Sequence, residues 1–294
     1  MMALIHPYLI QFAPILTTAV TVYTLACCVL LFGQNRLIFF PSRDLATTPA
    51  DLNLSYQDVW LSVSSNQNQA ELIHGWWIGS SQGSNQPVII HFHGNSSNIG
   101  ANLGYVQQFH QMGLSVFLID YRGFGQSNPR FPSEKIVYQD AEAAWNYLVD
   151  QKGINPEKIF VFGHSLGGAI AINLAAKHPE IAGLIVESSF TSMRDMVDYQ
   201  GKYWMFPINW LLQQRFASIE KVNQLKMPVL FTHGTADTVV PSEMSQALYA
   251  AATEPKQLLI VEAADHNNVR QVGEMQYFNT VQEFIQQALK LQYQ

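Results

Sequence analysis

The sequence predicts an α/β fold in which helices cover a mostly parallel β-sheet, with a small helical cap and an N-terminal membrane helix. Short, continuous apolar runs recur along the chain between Gly, Pro, Asn and Asp, as strands buried on both faces require. Helical stretches separate these runs, and that alternation is typical of a parallel sheet with helices on its faces. Many of the remaining apolar residues are concentrated at the N-terminus.

Residues 1–35 predict an uncleaved, single-pass membrane anchor. They contain no Asp, Glu, Lys or Arg, and the run from Ile15 to Phe32 is almost continuously apolar. Eighteen helical residues rise about 27 Å, close to the roughly 30 Å of a bilayer core. A cleaved signal peptide and a packed soluble helix are the alternatives, but a cationic start and a clear cleavage site are lacking. Arg36 and Arg43 are too few charges to decide the side of the membrane.

The remaining residues, 36–294, predict one α/β domain that opens with an antiparallel strand pair, Tyr56 to Ser64 and Glu71 to Ile78. Six further strands are predicted at Val88 to Phe92, Ser115 to Ile119, Ile159 to Phe162, Gly183 to Val186, Val229 to Phe231 and Leu258 to Val261. Helices are predicted at Ser133 to Gln151, Ser165 to Lys177, Ser242 to Ala252 and Glu274 to Leu291.

Composition excludes several classes of protein. The chain has 294 residues, of which 48% are hydrophobic and only 13% charged, so it is neither a disordered protein nor a disulfide-stapled miniprotein. The net charge is -6 with sixteen Lys and Arg residues. Because no basic surface is available to neutralise a phosphate backbone, we expect no nucleic-acid partner.

The strongest chemical signal is the segment Gly163-His164-Ser165-Leu166-Gly167, between a predicted strand and a helix of small residues. A strand-to-helix turn tight enough to expose a serine hydroxyl requires flanking residues without bulk, which Gly163 and Gly167 provide. Ser165 also lies at a helix N-terminus, where the helix dipole stabilises negative charge. Ser165 is therefore the predicted nucleophile, and an ordinary Gly/Ser turn is the structural alternative.

A serine hydroxyl needs a base to take its proton and a carboxylate to orient that base. Asp237 and His266 each follow a predicted strand, so both should lie at the same sheet edge as Ser165. The order Ser, Asp, His is that of the strand-turn-helix serine hydrolases. Glu187, at the end of the strand that begins at Gly183, is the competing acid, and Asp265 is expected to hydrogen-bond its own loop.

An oxyanion needs hydrogen-bond donors, and we predict the backbone N–H groups of Leu166 and Asn95, with Ser96 as the alternative to Asn95. Gly94 lets that second loop approach the serine. His91 and His93 have no third ligand nearby in the sequence, so they are expected to fix loops, and no metal or cofactor is expected. The turn from Asp120 to Gly125 lacks a full nucleotide-binding fingerprint and is expected to be structural.

The segments HFHGN, DYRGFGQS, GHSLGG, HGTADTVVP and ADHNN, in this order, resemble the motifs of the α/β-hydrolase superfamily. The apolar N-terminus followed by Arg36 to Pro41 is similar to the bud-emergence branch of membrane-anchored serine hydrolases. The resemblance covers essentially the whole chain. It implies an eight-stranded sheet, a triad of Ser165, Asp237 and His266, and hydrolysis of esters, thioesters or amides without a cofactor. Substrates differ among these relatives and do not transfer; a cysteine-rich palmitoylation segment, expected of the depalmitoylases among them, is lacking here.

The insertion at about 189–227 is rich in aromatic residues and predicts a cap over an acyl pocket. Trp204, Phe206 and Trp210 are the pocket residues we expect. Beside a membrane anchor, this cluster favours an acyl or lipid-like ester or thioester as the substrate. A serine aminopeptidase-like peptidase remains open, with Glu187, Asp195 or Asp198 as a carboxylate for a free amine. A non-catalytic binding protein of the same fold is the other alternative.

Overall fold

A central β-sheet organises the computed structural model, which describes residues 6–63 and 70–291. Its strands and those of a small second sheet are, in chain order, β1 (Phe40–Pro41), β2 (Gln57–Val63), β3 (Glu71–Ile78), β4 (Val88–Phe92), β5 (Ser96–Ser97), β6 (Ser115–Ile119), β7 (Ile159–His164), β8 (Gly183–Glu187), β9 (Val229–Gly234) and β10 (Lys256–Val261). Ser64, at the end of one predicted strand, and the first five residues of the predicted anchor lie outside the described residues.

The central sheet has eight strands in the order β10-β9-β8-β7-β4-β6-β3-β2. β3 runs antiparallel to both of its neighbours, and every other pair in this sheet is parallel. The predicted mostly parallel, eight-stranded sheet with an antiparallel opening pair is therefore confirmed. Because β4, β7, β9 and β10 run in the same direction, their carboxyl ends meet at one edge of the sheet, where ligands bind in open α/β folds.

The helices are α1 (His6–Ile38), α2 (Leu103–Gln111), α3 (Glu134–Asn146), α4 (Leu166–Ala175), α5 (Met193–Gln200), α6 (Ile208–Leu211), α7 (Ser242–Ala251) and α8 (Val269–Leu291). Ser133 and Ser192 cap α3 and α5 through side-chain hydrogen bonds, as serine commonly does at helix N-termini. A π-helical turn, Tyr147–Gln151, continues α3. α8 begins five residues before the predicted Glu274 and bends there, where φ is 39°.

Both faces of the sheet are covered, which explains the continuous apolar runs. In β7, Ile159 and Val161 pack into the core on one face, and Phe160 and Phe162 pack into the core on the other. All four side chains are fully buried. A strand in this position needs apolar residues at every position and not at alternate ones.

A buried ion cluster holds the turn that follows β6. The guanidinium of Arg122 is fully buried and lies 2.7 Å from Asp140 and 2.6 Å from Glu71. Gly123 and Gly125 have φ values of 94° and 45°, which glycine adopts without strain. The turn that was predicted to be structural therefore places Arg122 in buried contact with its acidic partners.

The N-terminal helix α1 contains a stretch, Pro14–Ile38, that is long and apolar enough to cross a membrane, with a mean hydropathy of 2.2. A signal sequence and a core helix of a soluble protein meet the same two criteria. α1 ends at Ile38, three residues beyond the predicted end of the anchor at residue 35. The cap between β8 and β9 contains α5 and α6, which makes it helical as expected.

Candidate active site

Ser165 occupies a strained turn between β7 and α4. Its φ and ψ are 54° and -119°, a combination that few non-glycine residues adopt. The flanking glycines are required by space: a Cβ at Gly163 would lie 2.2 Å from the Gly167 oxygen, and one at Gly167 would lie 2.0 Å from the Phe92 oxygen. The turn therefore holds the Ser165 side chain at the carboxyl edge of the sheet.

The structure brings Ser165, His266 and Asp237 together in one hydrogen-bonded chain. His266 Nε2 lies 3.0 Å from Ser165 Oγ, and His266 Nδ1 lies 2.7 Å from Asp237 Oδ2. Asp237 comes three residues after β9 and His266 five residues after β10, so each side chain enters from a strand end. All three residues are more than nine-tenths buried. The order of contacts is that of a nucleophile, its base and an orienting acid.

Asp237 is held as an anion by four hydrogen-bond donors. The backbone N–H groups of Val239 and Val240 each donate to its Oδ1 at 2.8 Å, and His233 and His266 approach its Oδ2. Burial alone raises the pKa of Asp237, but the hydrogen bonds from the two histidines outweigh it and hold that pKa below its ordinary value. A charged carboxylate therefore faces the His266 ring at neutral pH.

His233, which the sequence analysis did not single out, supports Asp237 from behind. Its Nε2 lies 2.9 Å from the Val240 carbonyl oxygen, so this nitrogen carries a proton and also points it at Asp237, 3.0 Å away. Its Nδ1 lies 2.7 Å from Ser245 Oγ. The sequence did indicate this residue, because His233 lies near the end of a predicted strand and only four residues before Asp237.

The competing acid, Glu187, does not contact His266. Its fully buried carboxylate accepts a short hydrogen bond from the Tyr105 hydroxyl, and Thr232 Oγ1 donates to it at 3.2 Å. Its backbone oxygen accepts from the N–H of Ser165 at 2.9 Å. Asp265 accepts from the backbone N–H of Asn267 at 2.9 Å, which is the loop contact expected of it.

The loop that follows β4 passes beside Ser165. A Cβ built on Gly94 would lie 3.6 Å from Ser165 Cβ, an ordinary contact distance, so the loop backbone lies directly against the serine. Asn95 is anchored to the end of α1, because its side-chain amide donates to the Ile38 oxygen and its carbonyl accepts from the Phe40 N–H, both at 2.8 Å. Leu166 is the first residue of α4, where backbone N–H groups have no intrahelical acceptor.

Three buried histidines surround the site without joining the hydrogen-bonded chain. His93 Nδ1 donates to the Gly94 oxygen at 2.8 Å, and His164 Nε2 donates to the His266 oxygen at 2.9 Å. Burial lowers the pKa of His93 to about 4 and lowers that of His164 as well, so both rings are neutral at pH 7. His91 packs edge-on against Tyr105 and Phe162. These contacts fix the loops that carry Gly94 and His266.

A cleft of about 550 Å³ opens over Ser165 and His266. Leu166 and Asn95 line it, and the cap contributes Phe190, Met193 and Met196. The three aromatic residues predicted for the pocket are elsewhere: Trp204 and Trp210 are 82% and 85% exposed, and Phe206 stacks on Tyr23 of α1. The local sequence does not indicate that two of these aromatic residues are exposed and that the third packs against α1.

Comparisons with known proteins agree with this architecture. The family model described as serine aminopeptidase, S33, matches residues 83–221. The alpha/beta hydrolase domain-containing protein WAV2 of Arabidopsis thaliana is 31% identical over 274 residues, which cover 86% of this chain and 87% of the relative. An uncharacterised protein of Mycobacterium tuberculosis is 32% identical over 260 residues, covering 88% of this chain and 89% of that protein. An esterase of Pyrococcus furiosus has a solved structure with a TM-score of 0.69 and 23% identity, covering 85% of this chain and 99% of that chain.

This chain belongs to the α/β-hydrolase superfamily, as the similarity to the plant relative over most of both chains shows, and its eight-stranded sheet agrees with this assignment. Membership in this superfamily supports a hydrolase.

Proposed function

We propose that this protein is a serine hydrolase that cleaves carboxylic ester or thioester bonds through an acyl-enzyme intermediate. The observation that carries the proposal is the hydrogen-bonded chain from Ser165 through His266 to Asp237. His266 Nε2 takes the hydroxyl proton as Ser165 Oγ attacks the substrate carbonyl carbon. The proton then passes from His266 to the leaving alcohol or thiol, which departs and leaves an acyl group on Ser165.

Deacylation repeats these steps with water as the nucleophile. His266 removes a proton from the water, the hydroxide attacks the acyl carbonyl, and the proton returns to Ser165 as the carboxylic acid leaves. In both halves the carbonyl oxygen becomes an anion, for which we assign the N–H groups of Leu166 and Asn95 as donors. Each such donor contributes roughly 2.7 to 4 kcal/mol to the transition state.

An acyl or lipid-like substrate is favoured by the chemistry of the cleft and by α1. Three of the four cap residues that line the cleft, Phe190, Met193 and Met196, are apolar, and the fourth is Gln200. The helix α1 is suited to a membrane anchor, and we assign the chain to the bud-emergence branch of membrane-anchored serine hydrolases on that basis together with its motifs. Short and long acyl esters of p-nitrophenol are suitable probes.

A serine aminopeptidase is the second candidate because the matching family model carries that description. Such an enzyme needs a carboxylate to bind a free amine, and the cleft lining, among residues 6–63 and 70–291, includes no Asp or Glu. The three acids considered from the sequence are engaged elsewhere. Glu187 binds Tyr105, Asp195 binds Thr191 and Ser192, and Asp198 pairs with Arg194.

The experiment measures turnover of p-nitrophenyl butyrate by the full-length protein in detergent. We expect turnover by the wild type, loss of at least a thousandfold in Ser165→Ala, and little change in Ser188→Ala. Ser188 is a matched control because it is also fully buried nearby, and its Oγ has no hydrogen-bond partner among the described residues. Retained turnover in Ser165→Ala contradicts the proposal. Hydrolysis of an amino-acyl p-nitroanilide in place of the ester supports the peptidase, and failure of the wild type to react with a fluorophosphonate supports a non-catalytic binding protein.

A further inference from the structure

An apolar groove lies between α1 and the cap, beside the cleft that contains Ser165. One wall is formed by α1 and the other by α5, α6 and the residues next to them. Its apolar lining includes Leu30, Leu37, Met196, Val197, Ile208 and Leu211. In the part of the chain that the structure describes, no Asp, Glu, Lys or Arg belongs to this lining. The groove is therefore suited to a hydrocarbon group and not to a charged one.

The groove adjoins the cleft that contains Ser165. Leu37, Ile38, Met193 and Met196 border both cavities, as does the Gln200 side chain. A chain that begins at Ser165 and passes into the groove therefore meets a boundary in which four of the five shared residues are apolar. Along α1, the wall from Leu30 to Ile38 covers eight residue steps, or about 12 Å of helix.

The helix wall is attached to the cap by specific contacts. Gln34 is buried, and its amide nitrogen donates to the Leu211 oxygen at 3.1 Å. Its amide oxygen accepts from the backbone N–H groups of Gln213 and Gln214 at 2.8 and 3.0 Å. A buried amide satisfied in this way fixes the relative position of two elements, because misplacement would leave its polar atoms unpaired.

A second contact secures the helix further from the active site. Tyr23 stacks on Phe206 of the cap with 5.7 Å between the ring centres, and its hydroxyl donates to the Met205 oxygen at 2.8 Å. Together with the bond from Asn95 to the end of α1, these contacts make the helix part of the hydrolase unit. A loosely attached tether would show no such contacts.

We propose that this groove binds the acyl chain of the substrate, with the helix α1 forming one wall of the acyl site. The inference rests on the proposed esterase activity and adds a binding site to it. The carbonyl group lies at Ser165, and the hydrocarbon chain extends past Met196 towards Leu30. Each methylene buried in the groove raises kcat/KM about fourfold, the equivalent of about 0.8 kcal/mol, until the chain outgrows the groove.

The test compares two neighbouring positions of α1. Leu30 lines the groove, whereas the next residue back, Val29, is 69% exposed and does not. We expect Leu30→Trp to lower kcat/KM for p-nitrophenyl laurate at least tenfold and to change it less than twofold for p-nitrophenyl butyrate. Val29→Trp, the matched control, should change neither value. Val197→Trp fills the groove from the opposite wall and should reproduce the effect.

Rates are divided by the number of active serines, which a short-chain fluorophosphonate titrates, so loss of folded protein does not enter the comparison. Equal losses with both esters, or no loss with laurate in either groove variant, overturn the acyl site. Absence of butyrate turnover in the wild type instead overturns the proposed function, so the two failures are distinguishable.

A direct measurement uses a long-chain alkyl fluorophosphonate with a photoreactive diazirine at the end of the chain. After reaction with the full-length protein and illumination, we expect crosslinks in the peptides that contain Leu30 to Ile38 or α5 and α6. Crosslinks confined to α7 or α8 would overturn the proposal.

Discussion

Replacing Asp237 by Asn tests the orienting acid with almost no change in shape. The backbone N–H groups of Val239 and Val240 both donate to Oδ1, so the amide oxygen of the asparagine must occupy that position. The NH₂ group then takes the place of Oδ2 and faces His266 Nδ1, which is 2.7 Å away. Because NH₂ only donates, His266 must accept at Nδ1 and carry its proton on Nε2.

This exchange places a proton on the nitrogen that should receive one from Ser165, 3.0 Å away. The new NH₂ group also opposes the N–H of His233, which contacts Oδ2 at 3.0 Å in the native protein. We expect kcat for p-nitrophenyl butyrate to fall about 10⁴-fold, as for the corresponding change in a serine protease. That factor corresponds to about 5.4 kcal/mol of transition-state stabilisation.

Glu187→Gln is the control for this prediction. Glu187 is buried like the acid under test, but its side chain binds Tyr105 and Thr232 and not the His266 imidazole. We expect its kcat to stay within tenfold of the wild type, with near-ultraviolet circular dichroism checking that both variants are folded. If kcat falls about 10⁴-fold in Glu187→Gln and not in Asp237→Asn, the assignment of the acid is wrong.

Three further predictions concern stability. Arg122→Met leaves the fully buried Asp140 without its guanidinium partner, while Glu71 keeps Arg130, and the change should lower the free energy of unfolding in urea by about 3 to 5 kcal/mol. Burial raises the pKa of Asp120 to about 7, so the folded protein binds a proton that the unfolded chain releases near pH 4. The stability contributed by Asp120 should therefore be lost as the pH rises from about 4 to 7, whereas the lowered pKa of His93 acts in the opposite direction. The melting temperature of Asp120→Asn relative to that of the wild type should accordingly rise between pH 5 and pH 8. Gly167→Ala places a Cβ 2.0 Å from the Phe92 oxygen and should cost more than about 3 kcal/mol, seen as loss of the cooperative thermal transition.

The central sheet was predictable because its signals are local. A strand buried on both faces requires a continuous apolar run, and each run from Val88 to Val261 corresponds to a strand of the structure. α2 was missed because its buried apolar positions, Leu103, Val106 and Phe109, are separated by a glycine, a tyrosine and two glutamines, which dilute the helical pattern. β1 and β5 have only two residues each, too few to show any period.

The sequence indicated which residue types form the candidate site, but it did not indicate which residues distant in the chain contact them. The glycines around Ser165 and the strand-end positions of Asp237 and His266 follow from local motifs. The attachment of Asn95 to Ile38 spans 57 positions, and that of Gln34 to Leu211 spans 177, so neither has a local signature. For the same reason, the aromatic residues expected in the pocket could not be assigned to their exposed or helix-facing positions.

These long-range contacts give α1 a second role beyond its suitability as an anchor. The Ile38 oxygen at its end and the N–H of Phe40, two residues further on, both bind Asn95. The short parallel pairing of β1 with β5 continues this attachment. The position of a proposed oxyanion donor is therefore coupled to the end of the N-terminal helix, and the same helix borders the cleft.

The most direct test of the account is to capture the acyl group on the enzyme. The full-length protein is mixed with p-nitrophenyl laurate, quenched in acid within the first turnovers, digested and examined by mass spectrometry. We expect a lauroyl group on the peptide that contains Ser165, and on the side chain of that residue. Release of p-nitrophenol with the Ser165 peptide unmodified, or with the acyl group on another residue, would contradict the account.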